Sequence, residues 1–336
     1  MPPDPQAIDR LFETFIAYQR TAAMKAAVDL DLFTALGEGD DSVPALARRT
    51  GASERGLRML CDSLAALGFL TKERGRYAVP EDIQPFLDRR SPVYAASAIQ
   101  FLASPVIRQG FDRLTEAVRR GGTVVSEEGS TEAEHPMWID FARAMAPIAT
   151  FSAQLIANLL ETDAAPPWKV LDVAAGHGMF GITLAQRNPR ARIVALDWKN
   201  VLAVAEENAR AAGVMDRYEL LPGSAFEVET GGGYDLVLLA NILHHFDAET
   251  CERLLRRMHR ALAPGGRAVT IEFVPDEDRT RPAPSATFSL VMLASTPAGD
   301  AYTYAELERM FRSAGFRRNE LHEIPPSFQR VIVSHA

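Results

Sequence analysis

Two adjacent histidines, His244 and His245, lie in the segment LLANILHHFDAETC, behind a short apolar run. An imidazole titrates near neutrality, with an unperturbed pKa of about 6.5, so such a ring is a candidate proton acceptor, a role in which His244 is favoured over His245. Upstream, VLDVAAGHGMFG carries Gly176, Gly178 and Gly181 in the spacing GxGxxG. Glycine at these points lets the backbone turn tightly and approach a ligand at a helix N-terminus. The spacing alone serves dinucleotide oxidoreductases as well, and also ligand-free turns. Asp172, at the end of the preceding strand, distinguishes the two cofactors. An anion beside a pyrophosphate is repelled, whereas beside the cationic aminopropyl end of S-adenosylmethionine it is useful. Asp197 in ARIVALDW follows about 20 residues on, where a carboxylate accepts from both ribose hydroxyls of either cofactor.

Trp198 is a candidate for stacking on adenine, or equally for the core. Ser224 and Phe226 in PGSAF, with Asn241, complete the cofactor-binding candidates. Together with Asp247, the two histidines also fit a facial metal triad. Neighbouring side chains diverge, however, and no further His stands where a third ligand is expected, so no metal is expected. His177, inside the glycine loop, is expected to be a spectator. Glu272 ends VTIEF, where a carboxylate either faces solvent or, if buried, needs a partner such as His244. Phe141, Met145, Phe288 and Met292 are apolar candidates for the wall of an acceptor pocket that suits a flat aromatic molecule, and His245 is counted with them as a substrate-binding candidate. Phe and Met four residues apart on a helix are also ordinary core.

These residues need a scaffold that gathers strand ends. Short β-rich runs alternate with helical stretches beyond residue 161: strands at 169–173, 192–196, 218–221, 234–239 and 267–274, and helices near 179–187, 199–212 and 250–263. The alternation predicts right-handed βαβ units and a mostly parallel Rossmann-like sheet, ending in an antiparallel hairpin of 319–324 and 329–334. The N-terminal part is predicted to be an all-helical winged-helix domain. An apolar-periodic helix spans 8–28, a short helix turns at Gly51 into a second one capped by Ser53, and a wing hairpin involves Phe69–Leu70 and Tyr77–Val79. Further helices are expected at 91–103, 105–119, 132–145 and 148–160. The expected division is 1–90, a helical linker at 91–160 that contributes to the substrate pocket, and a catalytic domain at 161–336.

The 336 residues carry a net charge of −8, which argues against a dedicated nucleic-acid surface. Over residues 40–79, seven Lys/Arg face five Asp/Glu, too few for phosphate-driven DNA binding by the winged helix. Dimerisation is the expected role of that domain, through the apolar stripe of its first helix. Cys61 and Cys251 have no metal-binding or redox spacing and are expected to be reduced core thiols. With no apolar run of about 18 residues and no signal-like start, a cytoplasmic location is expected.

In order along the chain, VLDVAAGHG, ALDW, PGSAF, LLANILHHFD, LAPGGR and FSLVMLASTPAGDAYTYAEL resemble successive motifs of the caffeic-acid-type O-methyltransferase family. The likeness covers nearly the whole chain, and the winged-helix segment resembles that family's dimerisation domain. It implies a homodimeric class I methyltransferase of bacterial secondary metabolism that uses S-adenosyl-L-methionine on a small aromatic or hydrophobic acceptor. His244 matches the general base, Glu272 a carboxylate that orients it, and Phe141 and Met145 positions that contact substrate. Three positions depart from the pattern. His245 replaces an Asp, Ala240 a Lys, and Ala301 a second orienting Glu, for which Asp300 stands one residue away. C- or N-methylation on the same fold is the near alternative. A ligand-sensing DNA-binding regulator and an NAD oxidoreductase lie further off.

Overall fold

A computed structural model describes residues 5–336. The chain divides into two units, with the boundary between Pro105 and Val106. In the first, α1 (Pro5–Phe15) and α2 (Ala17–Asp29) replace the single helix expected over 8–28, because Ile16 leaves helical geometry. α3 (Leu32–Gly37), α4 (Val43–Thr50) and α5 (Glu54–Ala66) follow. Gly51 ends α4 in the left-handed region (φ 71°), and the Ser53 hydroxyl accepts from Gly56 N to cap α5. The wing pairs β1 (Thr71–Glu73) with β2 (Arg76–Ala78) through a turn with positive φ at Arg74 and Gly75. Phe69 and Leu70 lead into the hairpin but do not pair in it. After a short α6 (Gln84–Leu87), only α7 (Ala98–Leu102) forms where a helix over 91–103 was expected. Phe33, Leu46, Leu57, Leu64 and Tyr77 are buried together as this unit's core. Ile8, Leu11, Phe12 and Phe15 of α1 are exposed.

In the second unit, α8 (Pro105–Asp112) and α9 (Leu114–Arg120) divide the expected 105–119 helix at Arg113. α10 (Met137–Leu159) joins two segments that the sequence separates at Pro147. A proline inside a helix costs about 3 kcal/mol. Burial of Ala142, Ala144, Ala153, Ile156 and Ala157 along α10 offsets that cost and keeps it continuous.

The sheet is built from β3 (Lys169–Val173), β4 (Arg192–Asp197), β5 (Tyr218–Pro222), β6 (Tyr234–Ala240), β7 (Leu262–Glu272), β8 (Arg318–Glu323) and β9 (Arg330–His335). Their spatial order is β5-β4-β3-β6-β7-β9-β8, with β3 to β7 parallel and β9 antiparallel to both of its neighbours, β7 and β8. Helices α11 (Met179–Arg187), α12 (Lys199–Ala211) and α13 (Ala248–Ala261) connect the parallel strands. Strand order reverses at β3, the chain stepping outward to β4 and β5 on one side and then to β6 and β7 on the other, so the carboxyl ends of the parallel β3 and β6 form the crevice in which such sheets bind ligands. Besides the short α3 and α6 of the first unit, two helices of the second escaped the sequence reading: α14 (Ala283–Ser295) and α15 (Tyr304–Ala314). α14 is apolar on most sides and gives little period, whereas α15 carries a legible signal, the Thr303–Glu306 capping box. Among the described residues, no helix is long and apolar enough to cross a membrane.

Candidate active site

β3 ends in a loop whose backbone enters the left-handed region at Ala174 (φ 53°), Gly176 (φ 58°) and Gly178 (φ 77°). The three motif glycines serve different ends. A Cβ on Gly181 would lie 2.7 Å from Ile193 and 2.8 Å from the Asp172 carboxylate, and one on Gly178 would lie 2.6 Å from the Tyr218 hydroxyl. Both are packing glycines. At Gly176 the nearest atom is the Ala174 carbonyl oxygen at 3.9 Å, so this backbone is open to a ligand.

Two carboxylates support the loop. Asp172 is buried under it, with Oδ2 accepting from Gly181 N at 3.0 Å and Oδ1 buried without a partner among the described residues. Asp197 ends β4 and accepts from Gly176 N at 2.7 Å and from Trp198 N at 2.6 Å. Burial pushes Asp172 up to about 8, with Asp197 adding to the rise, and pushes Asp197 up to about 6. His177 is buried with Nδ1 accepting from Met179 N, and burial pulls it down to about 4, so its ring is neutral.

At the end of β6 a single 3-10 turn, Leu243–His245, presents the histidines. His244 Nδ1 lies 2.5 Å from Glu272 Oε2, and Glu272 Oε1 accepts from Leu243 N at 2.8 Å. Both side chains are buried. A carboxylate on Nδ1 fixes the proton there and leaves the Nε2 lone pair as the basic one. Glu272 thus holds both the ring and the backbone of the turn from β7. Asp247 is turned away, its carboxylate capping α13 through Thr250 N. Cys251 is a buried free thiol that donates to the Leu243 carbonyl and ties α13 to the same turn.

Aromatic rings run continuously past the base. His177 stacks near Phe141 (6.3 Å between centroids), Phe141 meets Trp138 (5.5 Å), and Trp138 meets His245 edge-on (5.1 Å). His245 lies 4.3 Å from His244, which meets Phe288 (4.8 Å), itself stacked on Phe273 at 3.8 Å. Met145 follows Phe141 by one turn on α10, partly buried, and Met292 follows Phe288 on α14, buried. Trp138 and Phe273 were missed in the sequence. Trp138 carried a signal, since it precedes Phe141 by three residues on one helical face.

Residues 111–317 match the model of the O-methyltransferase domain, and residues 12–84 match that of the O-methyltransferase dimerisation domain. The chain belongs to the O-methyltransferase family. A 3-hydroxy-5-methyl-1-naphthoate 3-O-methyltransferase of Streptomyces sahachiroi is 30% identical to it, over 88% of this chain and 86% of the relative. An L-tyrosine C(3)-methyltransferase of Streptomyces lavendulae is 27% identical, over 92% and 84%. A solved chain from Nostoc punctiforme superposes with a TM-score of 0.93 at 52% identity, covering 99% of this chain and 100% of that one.

The enzyme is a methyltransferase dependent on S-adenosylmethionine. The residues at the strand ends fit that cation. Asp172 is buried and Asp197 partly buried, neither with a cationic partner among the described residues, one Asp172 oxygen is unpaired, and the open backbone is at Gly176. Other cofactor candidates are more engaged with the protein. Trp198 packs with Ala142, Val201 and Val204, beside Trp138 and Ile139. Ser224 Oγ accepts from Phe226 N in a local turn, and Phe226 meets Phe246 edge-on at 5.1 Å. Asn241 has positive φ (58°) and accepts from Gln329, a residue the sequence did not single out. One expectation is corrected. Asp300 does not replace the second orienting Glu, because Arg279 holds its carboxylate at 3.1 Å, outside the methyltransferase's His244–Glu272 pair. The buried Ala301 leaves Glu272 as the only carboxylate bonded to His244 among the described residues.

Proposed function

We propose that the enzyme methylates a hydroxyl of a flat aromatic metabolite, with His244 as the general base. The observation that carries this reading is the buried His244–Glu272 contact set within a continuous wall of rings at the strand ends. S-adenosylmethionine supplies an electrophilic methyl group on a sulfonium. His244 Nε2 accepts the hydroxyl proton as the acceptor oxygen takes the methyl, and Glu272 steadies the charge that develops on the ring. Phe141, Phe288, Met145 and Met292 bind the acceptor plane and exclude water. Gly176 and Asp197 hold the cofactor, with Asp172 bracing the loop from below; Gly178, Trp198, Ser224, Phe226 and Asn241 line the same end. The C-methyltransferase among the relatives supports a second reading, transfer to a phenol ring carbon, in which the same base ionises the phenol. Mass analysis of the methylated product separates the two. An O-methyl ether is expected, and a C-methyl product overturns the first reading.

Calorimetry should show S-adenosylmethionine binding in the micromolar range, about −8 kcal/mol, and no heat from NAD. Its pH dependence follows from the two carboxylates. Both are raised above the unfolded value of 3.8, so the cofactor-free fold is most stable with them protonated and loses that stability as pH rises toward 8. A cationic ligand favours their ionised forms and so expels protons on binding. Affinity should therefore rise between about pH 6 and 8, by up to about tenfold per pH unit for one proton released, and level off above. Titrations in buffers of different ionisation enthalpy count the protons, and affinity that falls with pH over this range refutes the assignment.

We infer a homodimer formed through the N-terminal unit, where Ile8, Leu11, Phe12 and Phe15 expose apolar surface on α1. A cytoplasmic location belongs to the same reading. Sedimentation should give a dimer at micromolar concentration, and deletion of residues 1–30 should give monomer or aggregate. A full-length chain that sediments as a monomer rejects this inference.

A further inference from the structure

His245 is the polar member of the ring wall that the proposed proton transfer leaves unused. Its Nδ1 is buried and has no hydrogen-bond partner among the described residues. Burial and the neighbouring His244 push its pKa well below the usual histidine range, so the ring is neutral and carries one N–H. Burying an N–H without an acceptor costs about 1–3 kcal/mol, and an orphaned donor is tolerated less well than an orphaned lone pair. The proton therefore belongs on Nε2. The ring is fixed from two sides, 4.3 Å from His244 and 5.1 Å from the edge of Trp138, whose own Nε1 donates to the Ser130 carbonyl. Two imidazoles this close can each meet one of two oxygens on neighbouring carbons of one aromatic ring.

We propose that His245 donates from Nε2 to a second oxygen of the acceptor, ortho or peri to the hydroxyl that His244 deprotonates, and so selects vicinally oxygenated aromatic rings. The proposal rests on the acceptor class and on the base assigned above. The Asp that the family usually carries at this position only accepts, and would favour a neighbouring hydroxyl. A neutral imidazole donor also takes a carbonyl, an ether or a phenolate oxygen.

The test uses the full-length enzyme saturated with S-adenosylhomocysteine, so that no turnover occurs, and calorimetric affinities for 2-naphthol and 2,3-dihydroxynaphthalene. Wild type should bind the diol about tenfold tighter, or about 1.4 kcal/mol. His245→Phe keeps a ring in the wall and should bind both equally, with S-adenosylhomocysteine affinity unchanged as the control for an intact site. His245→Gln returns a donor near Nε2 and should restore most of the preference. A wild type without preference, a preference that survives in His245→Phe, or a His245→Gln as indifferent as His245→Phe each overturns the proposal. Failure of wild type to bind either naphthol overturns the acceptor class, and this proposal falls with it.

Discussion

Replacing His244 by alanine should lower kcat by ~10²–10⁴-fold while cofactor affinity barely moves. The size follows from the chemistry, because without the imidazole the acceptor hydroxyl must lose its proton to water while the methyl group is positioned. Cofactor affinity stays because the Asp197 and Gly176 contacts arise from β3 and β4, whereas His244 stands after β6. The variant also strands Glu272, whose Oε2 loses its partner while Oε1 keeps the Leu243 amide. Glu272→Gln separates the two effects, since it keeps the shape and removes the charge that steadies the protonated ring. Its kcat should fall by less than that of His244→Ala. If His244→Ala keeps more than half of wild-type turnover on the true acceptor, the enzyme does not work by this base. Positioning alone would then carry the rate, with an acceptor that arrives ionised.

A second large effect is expected at a position with no chemistry of its own. Gly299 lies against the backbone of the histidine turn, and a Cβ there would stand 2.2 Å from the His244 carbonyl oxygen and 2.9 Å from the His245 carbonyl carbon. Both neighbours are backbone and cannot rotate away, so Gly299→Ala must push the turn by about 1 Å, enough to cost about 10²-fold in rate. Overpacking of this kind also costs typically 1–3 kcal/mol of stability. Turnover and melting temperature measured together check both parts, with S-adenosylmethionine affinity as the control. A Gly299→Ala enzyme with wild-type kcat would show that the turn is not held in one place. The prediction comes from the fold alone, since PAGD looks like any loop.

The parallel strands β3 to β7 and the closing hairpin were legible because buried strands are short apolar runs between helical periods, and that pattern is local. The glycine spacing with its two aspartates pointed to the cofactor for the same reason: a turn needs its residue types wherever it is. Boundaries failed where tertiary packing overrode a local rule. Pro147 stays inside α10 because the buried alanines and Ile156 hold it, and α14 gave little period because it is apolar on most sides.

At the site, the sequence by itself determined which residue types stand at the strand ends, and so the class of chemistry. Tertiary structure alone decided who meets whom. It brought Glu272 to His244 across 28 residues, gave Asp300 to Arg279, and put Asp172 beneath the glycine loop rather than at its face. It also separated the three glycines into one open to a ligand and two buried against side chains. The physical reason is that hydrogen bonds and ion pairs depend on a few ångströms of approach between distant segments. Residue spacing along one strand or helix fixes direction and period, but the approach of two strands is set by how their side chains pack.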